Sequence, residues 1–294
     1  MFDRIFANYL LEKGKLSDKN LSDIFSIQDE KRVRLGVIAV SEKLMSIDQV
    51  EEINQLQAIN DKRFGDIAIE SGYLTEEEVK RLLFLQGNSF LAFIQSMIDL
   101  SCMTMEEVNE ALEDFQKENS FTLMNMEDLK SCDIDRIIPI YLYQQEDMLR
   151  NLCGIMVRTV SRLVDYHVYI KKPYAITECP CETLCMQELN GDHTILTALA
   201  GAPDTMQTAA VLFAGAEYIS DKEDSLDALC ELINCVNGLL ATEMSLKGIE
   251  IDMKAPHYNM EPVTLHGDSL VCLPLFIEGK ELSMIMSLDA DYSL

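Results

Sequence analysis

An α+β chain is predicted, in which a mostly helical N-terminal part precedes an antiparallel sheet covered by helices. Three features carry that reading. Helix caps and apolar positions recur every 29 residues through the N-terminal third. A helical apolar stripe runs from Asp224 to Thr242. Apolar runs joined by Asn190-Gly191-Asp192 and by Glu278-Gly279 signal hairpins. The 294 residues suggest two domains, because single cores stop growing near ~250 to 300 residues. The expected division is a repeat domain over 1–125, a linker over 126–136 and a second domain over 137–294.

Composition narrows the classes of function. At 48% hydrophobic residues the chain can fill buried cores. A formal charge of −26 argues against a nucleic-acid polymer as partner, since phosphate binding needs clustered Lys and Arg. The start, Met-Phe-Asp-Arg-Ile-Phe, lacks a basic region followed by an apolar core. No apolar run approaches the ~20 residues that cross a bilayer, so a cytoplasmic protein without membrane insertion is expected. Nine cysteines fit reduced thiols better than a disulfide framework.

In the repeats, Ser17, Ser46, Thr75 and Thr104 share one register, as do Leu21, Val50, Val79 and Val108. Gln28, Gln57 and Gln86 continue it, and Gly36 and Gly65 share it. Each unit reads as a short apolar segment, a turn, a Ser or Thr cap and an amphipathic helix ending near the Gln. Thr75-Glu76-Glu77-Glu78 shows the cap and an acidic first turn best. The order Arg34-Leu35-Gly36 to Gln57 returns as Arg63-Phe64-Gly65 to Gln86, with Lys43 standing where Gly72 stands in the second copy. This order resembles the N-terminal domain of type II secretion and pilus ATPases of the GspE and MshE kind, some of which bind cyclic di-GMP. The resemblance implies Arg34, Gly36, Arg63 and Gly65 as ligand-binding residues, with the Arg meeting a guanine edge and a phosphate.

From Gln116 to Arg136 the periodicity fades and polar residues accumulate. A helix is then expected from about Gln144, with Leu149, Leu152, Met156, Val160 and Leu163 as its stripe. Strands are expected over Tyr166–Ile176, interrupted by Pro173, and over Thr183–Leu189, Thr194–Ala200, Gln207–Phe213, Leu270–Ile277 and Leu282–Leu288. Pro274 should sit at an edge or bulge, because it has no N–H to give a ladder.

Between the strands lies the helix of most interest. Leu226, Leu229, Ile233, Val236 and Leu240 form its apolar stripe, while Asp227, Glu231, Asn234 and Gly238 form a second stripe on another face. Glu231 and Asn234 stand one turn apart, and no Lys or Arg lies three or four positions from Glu231. Asn within a helix costs up to about 0.7 kcal/mol relative to Ala. An unanswered carboxylate beside a carboxamide suits meeting a cation on another molecule and holding a water.

Asp227, Glu231, Asn234, Gly238 and Pro256 in this order and spacing resemble the chemotaxis phosphatases that include CheX, CheC and FliY, over about Ile137 to Leu294. The resemblance implies a CheX-like fold and a phosphatase of the aspartyl phosphate on a CheY-like response-regulator receiver domain. It implies Glu231 and Asn234 as catalytic residues, with Asp227, Gly238 and Pro256 supporting them. Asn234 would orient a water and Glu231 would pair with the receiver's Lys. The receiver would bring its own Mg²⁺, so no intrinsic cofactor is expected, and a strand-edge homodimer is a further family implication. The rivals are a receiver-binding adaptor without catalysis, and a cyclic di-GMP-sensing or assembly module made by the repeats.

Other constellations are weaker. Cys179, Cys181, Cys185 and His193 lack the paired spacing of a zinc knuckle, so no metal is expected. His167, His193, His257 and His266 lie in no motif, and neither a Gly-x-Ser-x-Gly elbow nor a Walker loop is present.

Overall fold

The computed structural model describes residues 1–28, 33–59 and 62–294. The chain divides into two compact units, Met1–Cys132 and Asp133–Leu294. The first is helical: α1 (Phe2–Glu12), α2 (Asp18–Gln28), α3 (Leu35–Ser41), α4 (Ile47–Ile59), α5 (Phe64–Glu70), α6 (Glu76–Leu85), α7 (Ser89–Asp99), α8 (Met105–Asn119) and α9 (Leu123–Lys130). Each 29-residue period is a helix pair. The short apolar segments before the caps are therefore helices themselves.

The caps explain the period. Glu78 and Glu107 close capping boxes with Thr75 and Thr104. Asn20 and Gln49 stand in the same register and accept from the backbone N–H of Ser17 (3.0 Å) and Ser46 (2.8 Å). Lys43 and Gly72 both take left-handed backbone, at φ 57 and φ 74, so each turn has the same shape. The pairs do not stack in chain order. The second packs with the third through α3 on α6 and α4 on α5, and the first packs with the fourth through α2 on α7 and α1 on α8. Gln86 donates to the Val33 carbonyl (2.6 Å), and Gln57 donates to the Lys62 carbonyl (3.3 Å). Val33 and Lys62 share the register, so these two bonds form one reciprocal clamp. In the fourth unit Phe115 takes the Gln position and packs edge-on to Phe2, Phe6 and Tyr9.

Residues 126–136, expected as a linker, are mostly helical: α9 runs to Lys130, and α10 (Ile134–Tyr141) begins at once, capped by Asp133. Apolar Ile137 and Ile138 are buried there, which polar composition around them masked. The second unit continues with α11 (Asp147–Leu163), then β1 (Tyr169–Ile170), β2 (Tyr174–Cys181), β3 (Thr183–Gly191), β4 (Ile195–Gly201), α12 (Pro203–Ala214), a 3-10 turn at Ala216–Tyr218, α13 (Lys222–Leu246), β5 (Ile251–Met253), β6 (His257–Asn259), β7 (Val263–Ile277), β8 (Lys280–Leu288) and β9 (Tyr292–Ser293).

The antiparallel sheet runs β1-β7-β8-β4-β3-β5, with β2 and β9 on β7 and β6 on β3. Asn190–Thr194 turns β3 into β4, which pair from Leu189 with Ile195. Glu278 and Gly279, both at positive φ, make a two-residue hairpin between Ile277 and Lys280. The sheet curls: Leu184, Met186, Leu196, Ala198 and Ile285 share a core with Leu265, Leu270 and Cys272 of β7. The other face carries α13, which packs on β3, on α11 and on α12.

One strand expectation is corrected. Gln207–Phe213 is not a strand but lies inside α12. Pro203 at its first turn and Gly215 at its end, φ 98, are start and stop signals of a helix. Pro274 lies within β7, opposite Ser283 of β8, and on its other side it faces the expected bulge, where three residues, Lys171 to Pro173, stand against two, Leu273 and Pro274. Its carbonyl accepts from Lys171 in the break between β1 and β2. A strand residue turns N and C=O to the same side, so the missing N–H faces that break.

Candidate functional site

Helix α13 begins two residues before Asp224, at Lys222, where Asp221 caps it by accepting from Asp224 N–H (2.9 Å). Asp227 therefore lies in the second turn. Leu226, Leu229, Ile233, Val236 and Leu240 are fully buried against the sheet, and each contributes about 1.5–3 kcal/mol by leaving water. That stripe fixes the rotation of the helix. Asp227 and Glu231 are left exposed, and Asn234 and Gly238 half-buried, along one ridge.

On the ridge the Asn234 amide nitrogen lies 3.5 Å from Glu231 Oε2. Among the described residues neither Glu231 nor Asp227 has an ion-pair partner. Gly238 is four residues past Asn234, and a Cβ there would meet only Met253 Cε, at 4.0 Å. Packing within the chain does not require that glycine, although Gly in a helix costs about 1 kcal/mol relative to Ala.

Beneath the ridge is a buried polar row that the sequence did not single out. Gln187 on β3 donates from Nε2 to Asn234 Oδ1 (2.9 Å) and to the Lys254 carbonyl (2.7 Å). Its Oε1 accepts from Asn237 Nδ2 (2.8 Å), whose Oδ1 accepts from the Thr197 hydroxyl (2.9 Å). Gln187, Asn237 and Thr197 are all fully buried. A signal for one of them existed: Asn237 falls in the register Ile233, Asn237, Leu240, Met244, where an apolar side chain belongs.

Pro256 lies outside α13, immediately before β6. β3 pairs with β5 at Leu189–Met253 and with β6 at Met186–His257. Three residues, Lys254 to Pro256, therefore face two, Gln187 and Glu188. This is a one-residue bulge where a Pro N, unable to donate, is tolerated. The bulge holds Lys254 so that its N–H donates to the Glu188 carbonyl (2.9 Å) while its own carbonyl receives Gln187. The Lys254 ammonium and the Tyr292 hydroxyl both bond the Glu188 carboxylate, in that order of effect, and hold it down at about 2.

With this geometry in hand, comparison with known proteins finds no matching family model and no matching curated protein. Solved structures do match. The neighbours include CheX chemotaxis proteins, CheC-like proteins, FliY and a FliM middle domain. CheX from Desulfovibrio desulfuricans is 13% identical, with 49% of this chain and 99% of that chain covered, at TM-score 0.44. A CheX-CheY-BeF3-Mg complex from Borrelia burgdorferi is 16% identical, with 48% and 97% covered, at TM-score 0.41. FliY from Thermotoga maritima is 17% identical, with 50% and 89% covered, at TM-score 0.34. These CheX-like neighbours cover about half of the chain.

In the N-terminal unit, Arg34 and Gly36 line a cavity of about 420 Å³ together with Val50, Asn54, Thr104 and Glu107, among others, whereas Arg63 and Gly65 do not line it. The Arg34 guanidinium is engaged by Asp99. A Cβ on Gly36 would come within 2.7 Å of Val50, and one on Gly65 within 2.9 Å of Val79. Both glycines are thus accounted for by the close approach of each pair's two helices. The cysteines are dispersed: Cys179 and Cys181 lie on β2, Cys185 on β3 meets the Leu226 carbonyl (3.5 Å), and His193 pairs with Asp289 (2.6 Å). Among the described residues no group of three or more His, Cys, Asp or Glu is placed to hold a metal ion. No helix among them is long and apolar enough to cross a membrane.

Proposed function

We propose that residues 133–294 form a phosphatase of the aspartyl phosphate on a CheY-like response-regulator receiver domain. The observation that carries it is the Glu231–Asn234 pair: neighbouring, accessible, and unanswered by any cation of the described chain. The resemblance in Asp227, Glu231, Asn234, Gly238 and Pro256 supports the same reading. In it the receiver supplies the labile acyl phosphate, its bound Mg²⁺ and a Lys. Glu231 meets that Lys and fixes the approach, and Asn234 holds a water in line with phosphorus. An amide suits this task because it can accept from and donate to one water. The protein contributes placement and the exclusion of loose water, as phosphoryl transfer requires little covalent work from it. Gly238 leaves room for the visiting backbone to approach the helix.

The test is phosphate release from receivers charged with acetyl phosphate. Asn234→Ala and Glu231→Ala should each slow release by about 100-fold or more, with unchanged circular dichroism. Rates equal to wild type in both variants overturn the assignment. Tight receiver binding without release would instead mark an adaptor.

A further inference from the structure

We propose that Gln187 is a positioning residue for Asn234, and that the Lys254 carbonyl sets the sense in which the Asn234 amide is held. The inference rests on the phosphatase reading above and deepens it. A peptide carbonyl can only accept a hydrogen bond. At 2.7 Å from Lys254 O, Gln187 must therefore present its NH2 and not its carbonyl. The second hydrogen of that NH2 then points to Asn234 Oδ1, 2.9 Å away. Gln187 Oε1 is left to accept from Asn237 Nδ2 (2.8 Å), and Asn237 Oδ1 to accept from Thr197 (2.9 Å).

All donors in the row thus point one way, from Thr197 outward to Asn234. A flipped Asn234 would face N–H with N–H and strand a buried donor, a loss that is larger in a low-dielectric interior than in water. No atom of the row is among the buried polar atoms lacking a partner. The outcome at the surface is a fixed amide: Nδ2 lies on the Glu231 side, and one Oδ1 lone pair remains free. A water bound there meets the same donor and acceptor at every visit, without the rotamer search a solvated Asn would make.

Full-length variants test this against the receiver on which the wild-type protein is fastest. Gln187→Met keeps the volume and removes both donors. It should lower kcat by ~10- to 100-fold, while KM for the phosphorylated receiver stays as in wild type, because Gln187 is fully buried and touches no partner. Thr197→Val, which removes only the far hydroxyl, should give a smaller kcat loss with the same unchanged KM. Wild-type kcat in both variants, alongside an inactive Asn234→Ala, overturns the positioning role and leaves the phosphatase reading standing. A wild-type protein that releases no phosphate from any receiver overturns both. If Gln187→Met does not fold, the wild-type protein decides through nuclear magnetic resonance. A hydrogen-bond coupling from Gln187 Nε2 to the Asn234 side-chain carbonyl supports the row, and freely exchanging Gln187 amide protons overturn it.

Discussion

At Gly238 the helix lacks a side chain that its own surroundings would accept, since the nearest atom to a built Cβ is 4.0 Å away. Gly238→Ala should therefore raise stability by about 0.5–1 kcal/mol, read as a higher unfolding midpoint. Under the proposed function the same change should also weaken receiver docking, because in that reading the methyl group would stand where the visiting backbone comes in. A variant that is more stable and docks equally well would remove the glycine from the interface. Glu231 and Asn234 were legible in the sequence because a helix of period 3.6 turns spacing directly into neighbourhood. Gln187 was not. Its partners lie 47, 50 and 67 positions along the chain, and they meet only through the packing of α13 on β3 and the pairing of β5 and β6 along β3.

Among elements, α3 and α5 show a packing reason for a repeat residue: Gly36 sits where a methyl would strike Val50 Cγ1 at 2.7 Å. Gly36→Ala should cost about 1–3 kcal/mol through overpacking, and Val50→Ala in the same chain should restore part of it. Additive losses in the double variant would show that the two do not meet. Although α9, capped by Thr122, was missed, the helix–strand order was readable at the Ser and Thr caps of the repeats, at the two hairpin turns and along the α13 stripe. It failed at α12, whose apolar run has no clear period, and at α10, where eight residues are too few to show one. It also missed β5, β6 and β9, each of two or three residues, which exist through pairing alone.

For the whole molecule, acid is the simplest probe of both units. Burial pushes the Asp3 carboxyl up, but the N-terminal ammonium, the Gln28 amide and Arg4 together outweigh it and hold it below its ordinary 3.8. Glu188 in the other unit is held at about 2 against an ordinary 4.5. Both shifts are downward, so their stabilising effect is complete above the unfolded values and fades as pH falls through the folded ones. Unfolding midpoints should therefore drop between pH 4.5 and about 2. Glu188→Gln should flatten that slope in the second unit while leaving the first unchanged; an unaltered slope would place the titration elsewhere.

The order of the helix pairs in the N-terminal unit has its own consequence. An open array, in which each unit touches only the next, can gain or lose members at either end. Here the second pair closes on the third and the first closes on the fourth, while α3 of the second also packs on α7 of the fourth. Removing one copy should therefore expose apolar faces on more than one remaining pair, so the four should unfold together and not one by one from an end.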